Sequence, residues 1–381
     1  MKLHSFLYNI ALVLALGVAV SCGNSPKSQG VKTDSLAQNL NNTEFDKLAD
    51  YLEKSGDYIN TKDAPAFVTA DEVYANLGSD KQLVIDIRNN GDYTSAHIDG
   101  AVNLAQNQVL SYLDSIAPGN YSKIAFVCYS GQNAGYVVGV LRLLGYANTY
   151  VLKWGMSGWN KQFATDKWLA NISDKYTKQL DTVAVAKPAK GSYPELKTGK
   201  TKAQEILEAR AAEILNIPFK QLSVKADSLM ANASQFYIVN YWPEDKYHVG
   251  HIPGAYQYTP RVDLSRSSSL ATLPSQKPIA VYCFTGQNAS FTVAYLRLLG
   301  YNASSMVYGT NALMHQKMVA GGEGWGAFTP DQIQDFPTIS GSEPSLKKAD
   351  DAAMSKQAGP APEVKAAAPK PKKSKAVSGG C

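Results

Sequence analysis

The sequence has few cysteines and lacks a hydrophobic run of the length that crosses a membrane. The apolar stretch from Phe6 to Val20 is about 15 residues long, whereas a spanning helix needs about 20. The cysteines form no recognisable disulfide framework, which argues against a disulfide-stabilised scaffold. The 381 residues include only four of them: Cys22, Cys128, Cys283 and Cys381.

The body of the chain also lacks a net charge. The formal charge of the whole sequence is +5, and residues 347–381 alone supply it, with eight lysines against Asp350, Asp351 and Glu363. A nucleic-acid groove needs a basic face, so we expect no nucleic-acid partner. The Ala, Pro and Lys composition predicts a disordered tail over 346–381. This tail is interpreted as a solvated spacer or as a segment lying on an anionic lipid surface.

The N-terminus has the features of an export signal. Lys2 precedes the apolar stretch, which ends in small residues and Cys22. This arrangement is similar to the lipobox of bacterial lipoproteins, except for Ala19 where that family usually has Leu. The resemblance implies a signal peptide over 1–22, lipidation of Cys22 and attachment to a membrane of the bacterial cell envelope. A plain signal peptide with an incidental cysteine is the alternative.

Two nearly identical heptapeptides show that the chain contains a duplication. CYSGQNA occupies 128–134 and CFTGQNA occupies 283–289, and each is followed by LRLLGY. The cysteines are 155 residues apart, far beyond the roughly 20 to 50 residues of a solenoid repeat. The sequence therefore predicts two copies of one domain. The predicted limits are a tether over 23–42, a first domain over 43–180, a linker over 181–201 and a second domain over 202–345.

Within each repeat, short apolar runs alternate with helical patterns. Strands are expected at 82–88, 123–128 and 148–153 and again at 235–241, 278–283 and 303–308, with a helix at 107–116 and one after each cysteine loop. The predicted fold class is α/β, with two domains that each hold a mainly parallel β-sheet flanked by helices. Ligand sites in such sheets lie beyond the carboxyl ends of the strands, where both cysteines fall.

Residues 84–104, VIDIRNNGDYTSAHIDGAVNL, together with the cysteine loop, resemble the rhodanese domain, a sulfurtransferase module. The resemblance covers roughly residues 65–165 and 219–318. The second copy has Asn240 and Trp242 where the first has Asp86 and Arg88. The residues that carry the resemblance in the first copy are Asp86, Arg88, Tyr93, His97, Ile98, Gly100 and Ala101, and in the second Tyr247, His251, Ile252, Gly254 and Ala255.

The resemblance implies that Cys128 and Cys283 are nucleophiles that carry sulfur as a persulfide. Backbone N–H groups and a helix N-terminus aimed at the sulfur are expected to favour the thiolate. No metal and no cofactor is predicted, and structural hydrogen bonds are expected for His97 and His251. Arg88 is placed near the site, as a salt bridge or a substrate contact. The predicted persulfide loops consist of Tyr129, Ser130, Gly131, Gln132 and Asn133, and of Phe284, Thr285, Gly286, Gln287 and Asn288.

Both loops depart from related enzymes at the positions after the cysteine. Dual-specificity phosphatases and arsenate reductases have Arg six positions after the cysteine, where this chain has Ala134 and Ala289. The arginine that would bind a phosphate or arsenate oxyanion is therefore missing. Many rhodaneses have Arg five positions on, where this chain has Asn133 and Asn288. Since asparagine brings no positive charge, we expect polysulfide or a protein persulfide to be a better donor than thiosulfate.

The predicted function is that of a cell-envelope sulfurtransferase, with a small sulfur-containing donor and a thiol or cyanide-like acceptor. The alternative is a non-catalytic rhodanese-fold binding or scaffold lipoprotein with a protein partner in a membrane complex. The repeat with Cys128 is expected to be the more active, because it keeps Asp86 and Arg88. Cys381 is interpreted either as an acceptor or disulfide partner for a site thiol, or as a terminus without a catalytic part.

Overall fold

The structure is a computed structural model that describes residues 43–342. The predicted signal peptide, tether and C-terminal tail, with Cys22 and Cys381, lie outside the described residues. Between residues 43 and 342, no helix combines the length and the hydrophobicity needed to cross a membrane.

Two five-stranded parallel sheets form the centre of the molecule. The first holds β1 (Phe67–Val68), β2 (Gln82–Asp86), β3 (Val102–Asn103), β4 (Lys123–Val127) and β5 (Thr149–Leu152). The second holds β6 (Ser223–Val224), β7 (Tyr237–Asn240), β8 (Tyr256–Gln257), β9 (Ile279–Tyr282) and β10 (Ala303–Met306). The strand orders are β1-β5-β4-β2-β3 and β6-β10-β9-β7-β8. The second order repeats the first with each number raised by five, which confirms the duplicated α/β fold.

Helices connect the strands and cover the sheets. In the first repeat they are α1 (Glu44–Lys54), α2 (Ala70–Ala75), α3 (Asn90–Ser95), α4 (Val109–Ser115), α5 (Gln132–Leu143), α6 (Met156–Trp159), α7 (Lys161–Asp166) and α8 (Trp168–Asn171). In the second they are α9 (Ala203–Leu215), α10 (Ala226–Ala231), α11 (Glu244–Tyr247), α12 (Gln287–Leu298) and α13 (Asn311–Ala320).

The six strands predicted from the sequence are present, trimmed at their ends. The predicted helix at 107–116 is α4, preceded by a 3₁₀ turn at Gln106–Gln108. The four strands that the sequence did not indicate, β1, β3, β6 and β8, are two residues long and lie at the sheet edges. Two residues carry no periodicity, so such strands are defined by their neighbours rather than by their own sequence.

Alternate residues of the first sheet face two different cores. Leu83, Ile85 and Phe126 belong to a large core that continues into the second repeat. Val84 and Ala125 point to the opposite face and join a smaller core. This arrangement follows from the period of two along a strand. The repeats therefore share one hydrophobic core through one face of the first sheet.

The helices that follow the cysteines, α5 and α12, pack against each other inside this shared core. Most residues of both helices are buried, as expected for helices that are apolar on nearly all sides. Gly139 makes the close approach possible, because a Cβ there would lie 2.9 Å from the Cβ of Ala294. At Gly135 a Cβ would lie 3.1 Å from the carbonyl oxygen of Gln287.

The segment after each repeat crosses to the other repeat. Asp181, after the first repeat, forms an antiparallel bridge with His251 of the second. Ile339, after the second repeat, forms the same bridge with His97 of the first. Each bridge has two backbone hydrogen bonds of 2.8 to 3.0 Å. The two repeats are therefore joined by a reciprocal exchange of backbone segments as well as by the helix pair.

Helix α1 lies at the start of the first repeat but contacts residues of the second half. Its Glu44 carboxylate accepts hydrogen bonds from the amide (2.7 Å) and hydroxyl (2.8 Å) of Thr198. The Arg266 guanidinium forms ion pairs with acidic residues on the same helix, including Asp46 at 3.2 Å. The domain limits predicted from the sequence stay a prediction.

We expect Gly139→Val to destabilise the fold, because a β-branched side chain has no room between α5 and α12. The free energy of unfolding should fall by about 1–3 kcal/mol, the usual cost of overpacking a core, measured by urea denaturation. Gly119→Val is the matched control, since a Cβ at Gly119 meets no atom within 4 Å. Equal stability of the two variants would contradict the tight helix contact.

Candidate functional site

Each cysteine lies where the central strand of its sheet ends. Cys128 follows β4 and Cys283 follows β9, and four residues later α5 and α12 begin. Gly131 and Gly286 precede the helices with φ of 78° and 73°, a conformation that glycine adopts without strain. The predicted position of both cysteines at the carboxyl edge of the sheets is what the structure shows.

In each repeat a second glycine packs against the backbone of the cysteine loop. The sequence patterns did not indicate this role. A Cβ at Gly155 would lie 2.3 Å from the carbonyl oxygen of Cys128, and Gly309 stands in the same relation to Cys283. The amide of Met156 donates to the Cys128 carbonyl at 2.8 Å. Close approach of backbone to backbone therefore fixes the direction in which each cysteine side chain leaves its strand.

Backbone N–H groups surround both sulfur atoms. Cys283 Sγ accepts from the amides of Gly286 (3.1 Å) and Ala289 (3.3 Å), and Cys128 Sγ accepts from Ala134 (3.4 Å). The thiol residues are nearly buried, with 5% of Cys128 and 2% of Cys283 exposed. Burial raises the pKa of both thiols, while the backbone N–H groups lower it.

The N–H groups act in the expected direction, but burial, which the sequence did not indicate, acts against them more strongly. The predicted N–H donors are present, but the cost of desolvating a charged sulfur outweighs them, so the pKa of each thiol lies above its usual value. A sequence shows which residues come after a cysteine, but the burial of the sulfur depends on the packing of both repeats. Burial therefore disfavours the thiolate at both sites.

Arg88 is a buried salt-bridge residue that also borders the Cys128 loop. Its Nη2 lies 2.6 Å from Asp86 Oδ2 and donates to the carbonyl of Ala96 at 2.7 Å. The guanidinium carbon lies 5.0 Å from the ring centre of Tyr129, the residue after Cys128. Nη1 is buried and has no hydrogen-bond partner among the described residues. Arg88 therefore forms a structural ion pair with Asp86 and keeps its Nη1 nitrogen available to donate hydrogen bonds.

The second repeat has different chemistry at the same place. Asn240 donates to the hydroxyl of Tyr282 at 2.8 Å, where the first repeat has a carboxylate. Trp242 stacks on Phe284, the residue after Cys283, with ring centres 4.9 Å apart. Trp325 lies edge-on to both rings. The surroundings of Cys283 are aromatic, whereas those of Cys128 include a cation.

The two cysteine loops contact each other across the seam between the repeats. Gln287 Nε2 donates to the carbonyl of Ser130 at 3.1 Å. In the other direction, Gln132 Oε1 accepts from the amide of Tyr308 at 2.7 Å. Both glutamines are at least 98% buried. The predicted loop residues of the two repeats are thus brought together, a contact that spacing along the chain did not indicate.

The remaining loop residues have more local roles. Ser130 Oγ accepts from Gln132 Nε2 at 2.9 Å, while Thr285 Oγ1 lies 4.0 Å from Cys283 Sγ. Asn133 Oδ1 is buried and unpaired among the described residues, and the Asn288 carbonyl accepts from Thr292 in the next helical turn. Neither asparagine brings a cation to the sulfur, as the sequence indicated.

The two histidines pack against aromatic rings. Nδ1 of His97 lies 2.8 Å from the Tyr93 carbonyl and the two rings stack at 3.7 Å. His251 has the same contacts with Tyr247, at 2.9 and 3.6 Å. Among the residues from 43 to 342, no group of His, Cys, Asp and Glu is arranged to hold a metal ion. The structural role expected for both histidines agrees with these contacts.

A sequence comparison identifies the family of both repeats. Residues 69–162 and 225–315 each match the rhodanese-like domain. No curated protein is similar enough to count as a match.

Comparison with solved structures gives matches of low identity. A rhodanese-related protein from Thermoplasma volcanium is 18% identical, with 27% of this chain and 93% of that chain covered and a TM-score of 0.22. A thiosulfate sulfurtransferase from Pseudomonas aeruginosa is 16% identical over 78% of this chain and 50% of its own, with a TM-score of 0.27. The 3-mercaptopyruvate sulfotransferase SseA from Escherichia coli is 17% identical over 64% and 97%, with a TM-score of 0.24.

Asp86→Asn should lower the free energy of unfolding by about 3–5 kcal/mol, because it leaves the Arg88 charge buried without its carboxylate. Urea denaturation measures the change. Glu195→Gln is the matched control, since its ion pair with Lys197 is about three quarters exposed and contributes little. A stable Asp86→Asn protein would mean that Arg88 does not depend on this pair.

Proposed function

Since the chain carries two rhodanese-like domains, we propose that it is a sulfurtransferase that holds sulfane sulfur as a cysteine persulfide. The observation that carries this proposal is the placement of each sulfur among backbone N–H groups at a helix N-terminus. Such donors stabilise a negative charge on sulfur without any metal or cofactor. The same donors serve the thiolate and the persulfide anion.

The reaction consists of two displacements at sulfur. In the first, the Cys128 thiolate attacks the outer sulfur of a donor R–S–SH, the donor S–S bond breaks, and R–S⁻ leaves. In the second, an acceptor thiolate attacks the outer sulfur of Cys128–S–SH, and the Cys128 thiolate is regenerated. Sulfur moves as a neutral atom in each step, so no external oxidant or reductant is needed. The covalent intermediate divides one difficult transfer into two.

Cys128 is the principal nucleophile in this proposal. Arg88 supports its site with a buried guanidinium and one unpaired N–H group, which suit an anionic donor or a developing thiolate. Trp242 occupies the equivalent place beside Cys283 and brings no charge. The near-complete burial of the Cys128 thiol favours narrow donors, such as a polysulfide or an extended persulfide side chain.

We expect Cys128→Ala to reduce persulfide formation and sulfur transfer to the background rate, because it removes the nucleophile. Cys283→Ala should retain most of the wild-type rate. The measurement is mass spectrometry of the intact protein after loading with polysulfide, together with the rate of transfer to a small thiol. Wild-type rates in both single variants would contradict the principal role of Cys128, and a wild type that transfers no sulfur above background would favour the non-catalytic binding or scaffold alternative.

We further propose that the chain is exported and held at a bacterial envelope membrane through a lipid on Cys22. The small residues before this cysteine and the short apolar stretch support the proposal. Cys22→Ser should then move the protein from the membrane fraction to the soluble fraction of the cell, as immunoblotting would detect. An unchanged membrane fraction would refute lipid anchoring at Cys22.

A further inference from the structure

Tyr308 belongs to the second repeat, and its backbone is fixed by the Cys283 turn. It follows β10 with a φ of 62°, which is unusual for a residue other than glycine. The next residue, Gly309, packs against the carbonyl of Cys283 so closely that a Cβ would lie 2.3 Å from it. A side chain in this backbone conformation points in a direction that ordinary β geometry would not give it.

Contacts with the first repeat hold Tyr308 beside the Cys128 loop. Its amide donates to Gln132 Oε1 at 2.7 Å, and Gln132 also donates to Ser130 Oγ at 2.9 Å. Its ring lies edge-on to Trp168 with centres 5.1 Å apart. The Trp168 indole in turn donates to the carbonyl of Ser130 at 3.3 Å. Tyr308 is therefore attached twice to the residues that come after Cys128.

The amide and ring contacts place the Tyr308 phenol in the neighbourhood of the Cys128 loop. Burial raises the pKa of Tyr308 to about 12, and the charge of the Cys128 thiolate is the second cause of this shift. The phenol consequently keeps its proton when sulfur at Cys128 is ionised. A protonated phenol can donate a hydrogen bond to an anionic sulfur that comes within its reach.

The equivalent residue of the first repeat, Trp154, offers no such hydroxyl. It precedes Gly155, as Tyr308 precedes Gly309, and has a similar φ of 67°. Its indole N–H is already used, because it donates to Gln332 Oε1 at 2.8 Å. Its ring packs among Trp168 and Phe328. At this pair of equivalent positions, only the second repeat supplies a phenol.

We propose that Tyr308 completes the Cys128 site from the second repeat by donating a hydrogen bond to the outer sulfur of a persulfide on Cys128. This inference depends on the proposed persulfide function. The outer sulfur lies about 2 Å beyond Sγ, so it needs a donor in addition to the backbone groups around Sγ. Gln132 is the positioning residue, because its side chain holds the backbone of Tyr308 across the seam.

The test compares persulfide acidity in Tyr308→Phe and in the parent protein, both with Cys22→Ser, Cys283→Ser and Cys381→Ser so that Cys128 is the only cysteine that can be loaded. After polysulfide treatment, the rate of alkylation of the outer sulfur by iodoacetamide is followed against pH by intact mass spectrometry. A hydrogen bond to the anion lowers its pKa, so losing the bond should raise the midpoint of the profile. We expect a rise of about one pH unit, a tenfold loss of anion at lower pH.

Gln132→Met should also raise the midpoint of the alkylation profile, but by less than Tyr308→Phe does. It removes the acceptor for the Tyr308 amide and keeps the length of the side chain. Tyr74→Phe is the control, because it removes a hydroxyl from a ring that is 41% exposed and stacked on Phe336. Its midpoint should equal that of the parent. Thermal melting of each variant checks that the fold is intact.

Two results would overturn the inference. One is a wild-type midpoint in Tyr308→Phe on protein that carries the persulfide. The other is an equal shift in the alkylation profile of the unloaded Cys128 thiol, which would place the hydrogen bond on Sγ rather than on the outer sulfur. A parent protein that takes up no sulfur would instead refute the proposed function, so the two failures are distinguishable.

Discussion

The close contact between α5 and α12 is the constraint on which the rest of the molecule depends. Glycines at positions 135 and 139 let the two helices approach until backbone and small side chains touch. Because each helix begins directly after a cysteine loop, this contact also brings the two loops to one seam. The exchange of glutamine hydrogen bonds, the shared core and the position of Tyr308 all require that approach.

The two repeats have the same strand order but not the same chemistry. A buried ion pair borders the Cys128 loop, and a stack of aromatic rings borders the Cys283 loop. Burial raises the pKa of both thiols, so the groups around each sulfur decide how well an anion is stabilised there. The difference between the repeats therefore lies in which charges each sulfur meets, while the backbone around the two sulfurs is alike.

The long central strands, the helices after the loops and the position of the cysteines could be predicted from the sequence, because each has its own periodicity or motif. The two-residue edge strands could not, since they have no pattern of their own. The crossing of Asp181 and Ile339 to the opposite repeats could not be predicted either, because it depends on how the two repeats are packed against each other. The roles of Gly155 and Tyr308 could not be predicted either. Gly155 matters through backbone geometry and Tyr308 through contacts with the opposite repeat.

The reciprocal crossing of the segments at Asp181 and Ile339 means that the two halves of the chain depend on each other. A fragment cut at the linker would keep its own sheet but lose the backbone partner of His97 or of His251, which the other half supplies. It would also expose the apolar surface of the helix that its twin now covers. Neither half therefore keeps all of its contacts as a single domain, although the two sheets have the same strand order.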